Sequence, residues 1–336
     1  MTRRPRALMA LVAAIAALGA ALIPTALLAH DGRYAESGEL LNALQVWSID
    51  APGLAIVIVV GGLYAWGYFR LRRDSPNFHF PRWHAWSFAA GWLVMLLGLM
   101  SPVDTYSDDL FWMHMIQHVM ITMIVAPLML LGAPATLALR AASPRVRTTY
   151  LVPFLNSRLV RALTWPPAAI VIYIASVWSW HWPDAYDAAI ASEAVHFVEH
   201  GVFLLGAVLL WWLVIGVDAT RLRPHHVWRC ALRVGAILQN IGLGLILINV
   251  GEPVYDTYAT AAAVREWGPD ALLDQRIGAG IMWVPGSMMF ALAIIVTVYY
   301  WAEREGFKDR RNDTVRDMQI RVHGEVPTLG PRSGEQ

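Results

Sequence analysis

Runs of about twenty apolar residues recur along this chain, and no other feature narrows its fold so much. Roughly twenty such residues are needed for a helix to cross the hydrocarbon core of a bilayer. Inside that core every backbone polar group must be satisfied internally, which favours helices. Eight runs fit. The first, residues 1–29, opens with Arg3, Arg4 and Arg6 and ends at Ala29 before His30-Asp31-Gly32. That is the layout of a secretory signal peptide or an uncleaved anchor. Seven spans are predicted near 52–69, 84–100, 112–132, 165–180, 195–217, 232–250 and 277–301. The expected fold is an all-α polytopic membrane helix bundle, with seven transmembrane helices after the N-terminal signal or anchor.

Basic charge alternates between the connecting segments. Segments 70–82, 140–162, 218–233 and 302–336 carry 4, 5, 4 and 7 Arg or Lys, against 1, 0, 0 and 2 in 30–51, 101–111, 181–194 and 251–276. Cytoplasmic loops are the basic ones, so the mature N-terminus is expected outside and the C-terminus in the cytoplasm. This divides the chain into a signal or anchor (1–29), a periplasmic segment (30–51), a seven-span membrane domain (52–302) and a cytoplasmic disordered tail (303–336).

Composition excludes several classes. Charged residues make up 15% of the chain and hydrophobic ones 57%, whereas soluble domains carry about a quarter charged residues. A formal net charge of +1 argues against a nucleic-acid partner, which requires a basic surface. Cys230 is the sole cysteine, so neither a disulfide framework nor a thiolate metal site can form. A metal here must use His, Met or carboxylate.

The histidines carry the chemistry. His114 and His118 lie four apart in HMIQH, and His196 and His200 repeat the spacing in HFVEH. Four residues is about one helical turn, so each pair shares a face. Both predicted helices run from outside to inside, which sets all four imidazoles at one depth in the outer leaflet. A four-nitrogen site of this kind suits copper, zinc, nickel or iron. A lone His at a span end reads equally well as a packing residue bonded to a backbone carbonyl. Two matched pairs fit that reading less well, because ionisable groups within a membrane are costly and usually functional.

Other donors lie near. Met113, Met115, Met120 and Met123 share the first His helix, and Met282 enters the last span at the same level; thioethers select Cu(I). Met is also an ordinary filler of packed interiors, so only Met282 is kept as a candidate. Among the external carboxylates Asp104 and Asp274 stand closest to spans, as possible ligands or as partners that orient the histidines. His181 is external and either joins the site or caps a helix. His30, if exposed by cleavage, would let amine and imidazole chelate copper. His196-Phe-Val-Glu199-His200 also spells H-x-x-E-H, a zinc-hydrolase pattern, whereas the companion motif has Gln117 where a Glu would stand.

Several blocks together resemble the CtaG family of cytochrome c oxidase assembly proteins, the caa-type oxidase assembly family. They are Leu99-Met-Ser-Pro-Val-Asp104, Phe111-Trp-Met-His-Met-Ile-Gln-His118, Ala126-Pro-Leu-Met-Leu-Leu-Gly-Ala-Pro134, His196-Phe-Val-Glu-His200 and Asp274-Gln-Arg-Ile-Gly-Ala-Gly-Ile-Met-Trp-Val-Pro-Gly286. The resemblance implies a seven-span protein of the bacterial inner membrane that matures a haem–copper oxidase. By it, His114, His118, His196 and His200 match the family's histidines, and Asp274 and Met282 its last-span block. The expected function is an assembly factor, not an enzyme, that binds copper at the periplasmic side and delivers it. Expected partners are membrane lipid, cytochrome c oxidase subunits and periplasmic copper carriers. The alternatives are a b-type haem protein with one axial His per helix, and an intramembrane metallohydrolase using Glu199.

Overall fold

The computed structural model describes Trp47 and residues 51–75, 77–216 and 226–323. The predicted signal or anchor and His30 lie outside the described residues. Among these residues there are helices and no strands. The elements that matter below are α1 (Ala51–Asp74), α2 (Arg82–Met100), α3 (Pro102–Ser107), α4 (Phe111–Val119), α5 (Ala126–Leu131), α6 (Pro134–Ala141), α7 (Pro166–Trp180), α8 (Pro183–Ile190), α9 (Glu193–Ile215), α10 (His226–Asn249), α11 (Asp256–Val264) and α12 (Ala271–His323). Short helical turns fill the basic stretch between α6 and α7.

Six helical stretches are long and apolar enough to cross a membrane: Gly53–Asp74, Arg82–Met100, Phe111–Ala141, Glu193–Ile215, Val227–Asn249 and Ala271–Glu303. The remaining predicted span corresponds to α7, a shorter apolar helix of 15 residues. Ile58, Leu93, Val171, Leu205 and Leu245 project outward. In water such exposure would be costly, but lipid is as apolar as these side chains.

Proline and glycine set the boundaries. Pro102, Pro134, Pro166 and Pro183 each open a helix at its first turn, where the missing N–H costs nothing. Gly216, at φ 62°, closes α9 in the left-handed conformation that suits glycine. Between α4 and α5 the chain widens into a π-helical segment, Met120–Val125, just before Pro127. A proline inside a helix removes a donor and crowds the carbonyl four residues back, and a local π adjustment with Ser/Thr and neighbouring-helix donors is one way membrane helices absorb it. Side chains take up freed carbonyls there: Thr122 donates to His118 O at 2.6 Å, and Trp211 Nε1 of α9 donates to Thr122 O at 2.9 Å. The second bond ties the two histidine-bearing helices together, about one turn past His118 on one and about three turns past His200 on the other.

The contacts divide the chain into two compact units, Met1–Phe290 and Ala291–Gln336. In the first, α9 packs against α7, α8, α5 and the π segment, while α2 packs on α5 and α1 on α6. Tyr64 stacks on Phe88 at 3.6 Å between centroids and donates to Gly132 O at 2.7 Å, closing the α1–α2–α5 corner. In the second unit α12 continues to His323. Residues 303–323, expected from their charge to be disordered, are therefore helical. Charge removes the apolar face that packs a helix but leaves its backbone bonds and its helix-favouring Glu, Lys and Arg intact.

Candidate metal centre

The helix bearing His114 and His118 begins without a capping side chain of its own. Its first N–H groups are satisfied from another helix instead: Asp274 of α12 accepts from Phe111 N through Oδ2 and from Trp112 N through Oδ1, each at 3.0 Å. A carboxylate at this end also complements the helix dipole. Arg265, nearly buried, lies 3.6 Å from the same carboxylate. Asp274 thus fixes where α4 starts, and the register from there sends His114 and His118 inward. One turn on, Gln117 donates to Gly98 O at 2.8 Å and to Asp104 Oδ1 at 2.7 Å, pinning α4 to α2 and α3.

The two His pairs converge. Ring centroids are 4.2 Å apart for His114–His118 and for His196–His200, 5.0 Å for His114–His196 and 5.4 Å for His118–His200. Glu199, wholly buried, points between them. Its Oε1 is 3.4 Å from His118 Nε2, and its Oε2 is 3.7 Å from His114 Nε2 and 4.0 Å from His196 Nε2. Among the described residues neither oxygen receives a hydrogen bond, and none reaches His114 Nε2, His118 Nε2 or His200 Nε2. Two three-ligand groups share His114: one with His196 and His200, the other with His118 and Glu199. In each, the donor atoms lie within 4.8 Å of one another.

Protons can be assigned around His114. Tyr258 donates its one hydroxyl hydrogen to Ser107 O at 2.6 Å. Its oxygen lies 3.0 Å from His114 Nδ1, so in that bond the ring must donate. The lone pair of a neutral His114 is then on Nε2, beside a carboxylate oxygen. Two acceptors facing each other at 3.7 Å in a buried site repel, and a cation between them removes the repulsion. Metal-binding histidines characteristically donate their other N–H in this way. The donor set of imidazole nitrogens and one carboxylate suits a first-row transition metal.

An aromatic plug covers the cluster. Tyr186 lies 5.1 Å from the His114 ring and 4.2 Å from Tyr255, and Phe111 stacks on Tyr255 at 5.1 Å. Burial pushes the Tyr186 and Tyr258 phenols well above their usual range, so both keep their protons. Asp187 of α8 accepts from Asp256 N and Thr257 N, anchoring the start of the helix that carries Tyr258.

Of the residues singled out from the sequence, the four histidines and Glu199 come together. Gln117, Asp104 and Asp274 sit one layer out and hold α4 in place. Met282 is buried in the wall of an adjacent cavity with His181. Tyr258 and Tyr186 escaped sequence reasoning, since a lone Tyr in a loop helix carries no spacing signal.

Residues 62–304 match the family described as cytochrome c oxidase caa3 assembly factor, Caa3_CtaG. Curated relatives include the uncharacterized proteins Mb0105 of Mycobacterium bovis and MT0111 of Mycobacterium tuberculosis. Each is 27% identical over 286 residues, covering 83% of this chain and 42% of its own. The uncharacterized protein ML1998 of Mycobacterium leprae is 25% identical over 275 residues, covering 79% and 41% respectively. The chain spans less than half the length of these curated relatives. No solved structure matches it.

Proposed function

The chain belongs to the cytochrome c oxidase caa3 assembly factor family, and from that premise we propose that it binds copper through His114, His118, His196, His200 and Glu199 and passes it to a haem–copper oxidase. The observation that carries this reading is the buried Glu199 carboxylate, set among imidazole nitrogens with no hydrogen bond to either oxygen. Such a group is costly in an apolar bundle unless a cation compensates it.

In this reading α7 is the seventh span and the basic segments are cytoplasmic. The cluster then faces the outer side of a bacterial inner membrane, where copper is handled before it enters an oxidase. Copper is cargo. It arrives from a periplasmic carrier, is held by nitrogen and carboxylate donors, and leaves by ligand exchange to an oxidase subunit docked on the same face. The aromatic plug of Tyr186, Tyr255 and Tyr258 limits access to the cluster, and Tyr258 keeps His114 in the tautomer that offers Nε2. No turnover is required, so the chain acts as a binding and hand-over protein rather than an enzyme.

The ring contacts favour this over haem ligation, because imidazoles only 5.0–6.3 Å apart across the two helices leave no slot for a macrocycle between them. Glu199 lies nearest His118 and His114 of the facing helix. That position suits an anionic ligand better than the base of a hydrolase.

The test is a His196→Ala/His200→Ala variant expressed in place of the native chain. The account expects the protein to remain in the membrane while the oxidase accumulates with less copper and lower activity. Full restoration of copper-loaded oxidase by the variant contradicts it.

A further inference from the structure

His181 follows α7 and is nine-tenths buried. Its Nδ1 lies 2.8 Å from Val177 O. A carbonyl only accepts, so Nδ1 carries the proton and Nε2 carries the lone pair. That Nε2 is buried without a hydrogen-bond partner. It belongs to the wall of a cavity of about 30 Å³ whose lining includes His118, Phe203 and three methionines, Met115, Met123 and Met282.

The methionines arrive from different places: Met115 from α4, Met123 from the π segment and Met282 from α12. The chain has 13 methionines, and each alone reads as packing. Three at one small cavity, together with an imidazole whose lone pair has no donor, make a different donor set from the one next door. The cluster described above offers nitrogen and carboxylate. This cavity offers thioether sulfur and one nitrogen. Thioethers bind soft monovalent copper in preference to divalent ions. The cavity also has room for a single ion, since about 10–15 Å³ already admits a water.

We propose that this cavity is a second metal position, selective for monovalent copper, with the thioethers of Met115, Met123 and Met282 and Nε2 of His181 as its donors. His118 borders both the cavity and the His–Glu199 cluster, so the two positions adjoin. An ion can then pass between nitrogen-rich and sulfur-rich donors by exchanging ligands one at a time, with no change of oxidation state needed. The proposal extends the reading of the cluster as a copper site but stands on separate residues.

The test uses full-length protein in detergent. Cu(I) is presented anaerobically with reductant against a chromophoric Cu(I) chelator, and Cu(II) is titrated separately. X-ray absorption at the copper edge reports sulfur neighbours. The variants are Met115→Leu/Met282→Leu, which conserves volume, and His181→Gln. Wild type is expected to bind Cu(I) with sulfur scattering. The double-Leu variant should lose that scattering and bind Cu(I) at least about tenfold more weakly, with Cu(II) binding unchanged. His181→Gln should weaken Cu(I) binding while keeping the sulfur signal. Wild-type Cu(I) without sulfur neighbours, or a double-Leu variant that binds Cu(I) as wild type does, overturns the proposal. Failure of the cluster reading looks different: sulfur-bound Cu(I) persists, while wild type takes up no Cu(II) and shows no copper held by nitrogen and oxygen donors alone.

Discussion

His114 donates to Tyr258: Nδ1 lies 3.0 Å from a phenolic oxygen whose own proton is committed to Ser107 O. One hydroxyl therefore settles which nitrogen of a buried imidazole can bind a cation. Tyr258→Phe removes the acceptor and frees the ring to rotate or change tautomer. Copper affinity should fall about 10–100-fold, with the protein still folded and in the membrane. Competition titration of purified wild type and variant checks this, and unchanged affinity would show that the tautomer is set by something else.

Asp274 holds the start of the His114 helix and lies 3.6 Å from the buried Arg265. Asp274→Ala removes both cap bonds and leaves Arg265 without that carboxylate. Loss of a cap alone costs about 0.5–2 kcal/mol, and breaking a buried ion pair from one side adds to it. Asp274→Asn keeps an acceptor oxygen and should be milder. Thermal unfolding in detergent should rank wild type above Asn above Ala. An Ala variant as stable as wild type would remove Asp274 from this role.

Gly278 faces the aromatic end of the same helix. A Cβ there would overlap the Phe111 ring, coming within 2.6 Å of Cε1, and would reach 3.1 Å from Met115 Cγ. Phe111 is fully buried, so the ring cannot swing clear without moving α4. Gly278→Ala should destabilise by about 1–3 kcal/mol, the cost of overpacking a filled interior. It should also weaken copper binding through displaced histidines. Gly280, which has open space around it, is the control, and its Ala variant should leave both unchanged.

How much of this was legible beforehand depends on the range of the interaction. HMIQH and HFVEH announce their geometry locally, because a four-residue spacing on a helix fixes a shared face, and the four rings do meet. Six of the predicted spans were legible from apolar run length and recur as helices long enough to cross a membrane. The run near 165–180 forms α7, a helix of 15 residues that falls short of that length. The family was legible from motif blocks and is shown by the match over 62–304. By contrast, the His114–Tyr258 bond joins residues 144 apart and the Asp274 cap joins residues 163 apart. No local pattern encodes either partner. Gln117 stands in HMIQH where HFVEH has Glu199, and spacing alone gives it no partner. At 3 residues past His114 it points to the next helix, where Gly98 and Asp104 receive it. The π segment was also invisible, though Pro127 marks where a helix has to yield. The charged tail was read as disordered, whereas α12 runs to His323: charge argues against packing, not against helix.

Glu199 concentrates the account in one side chain. Glu199→Gln preserves volume and removes the charge that, with the histidines around it, calls for a cation. If a metal provides that cation, the variant should bind copper far more weakly than wild type. If a proton on His114 or His118 provides it, metal binding is absent in both.

The most direct measurement is the metal content of full-length protein purified in detergent, read by elemental analysis beside the His114→Ala/His118→Ala variant. The account predicts copper in the wild type and its loss from the variant, with both proteins recovered from the membrane in similar amounts. Wild type without copper after copper-replete growth, or a variant that retains it in full, would contradict the claim that the four histidines and Glu199 form a copper site.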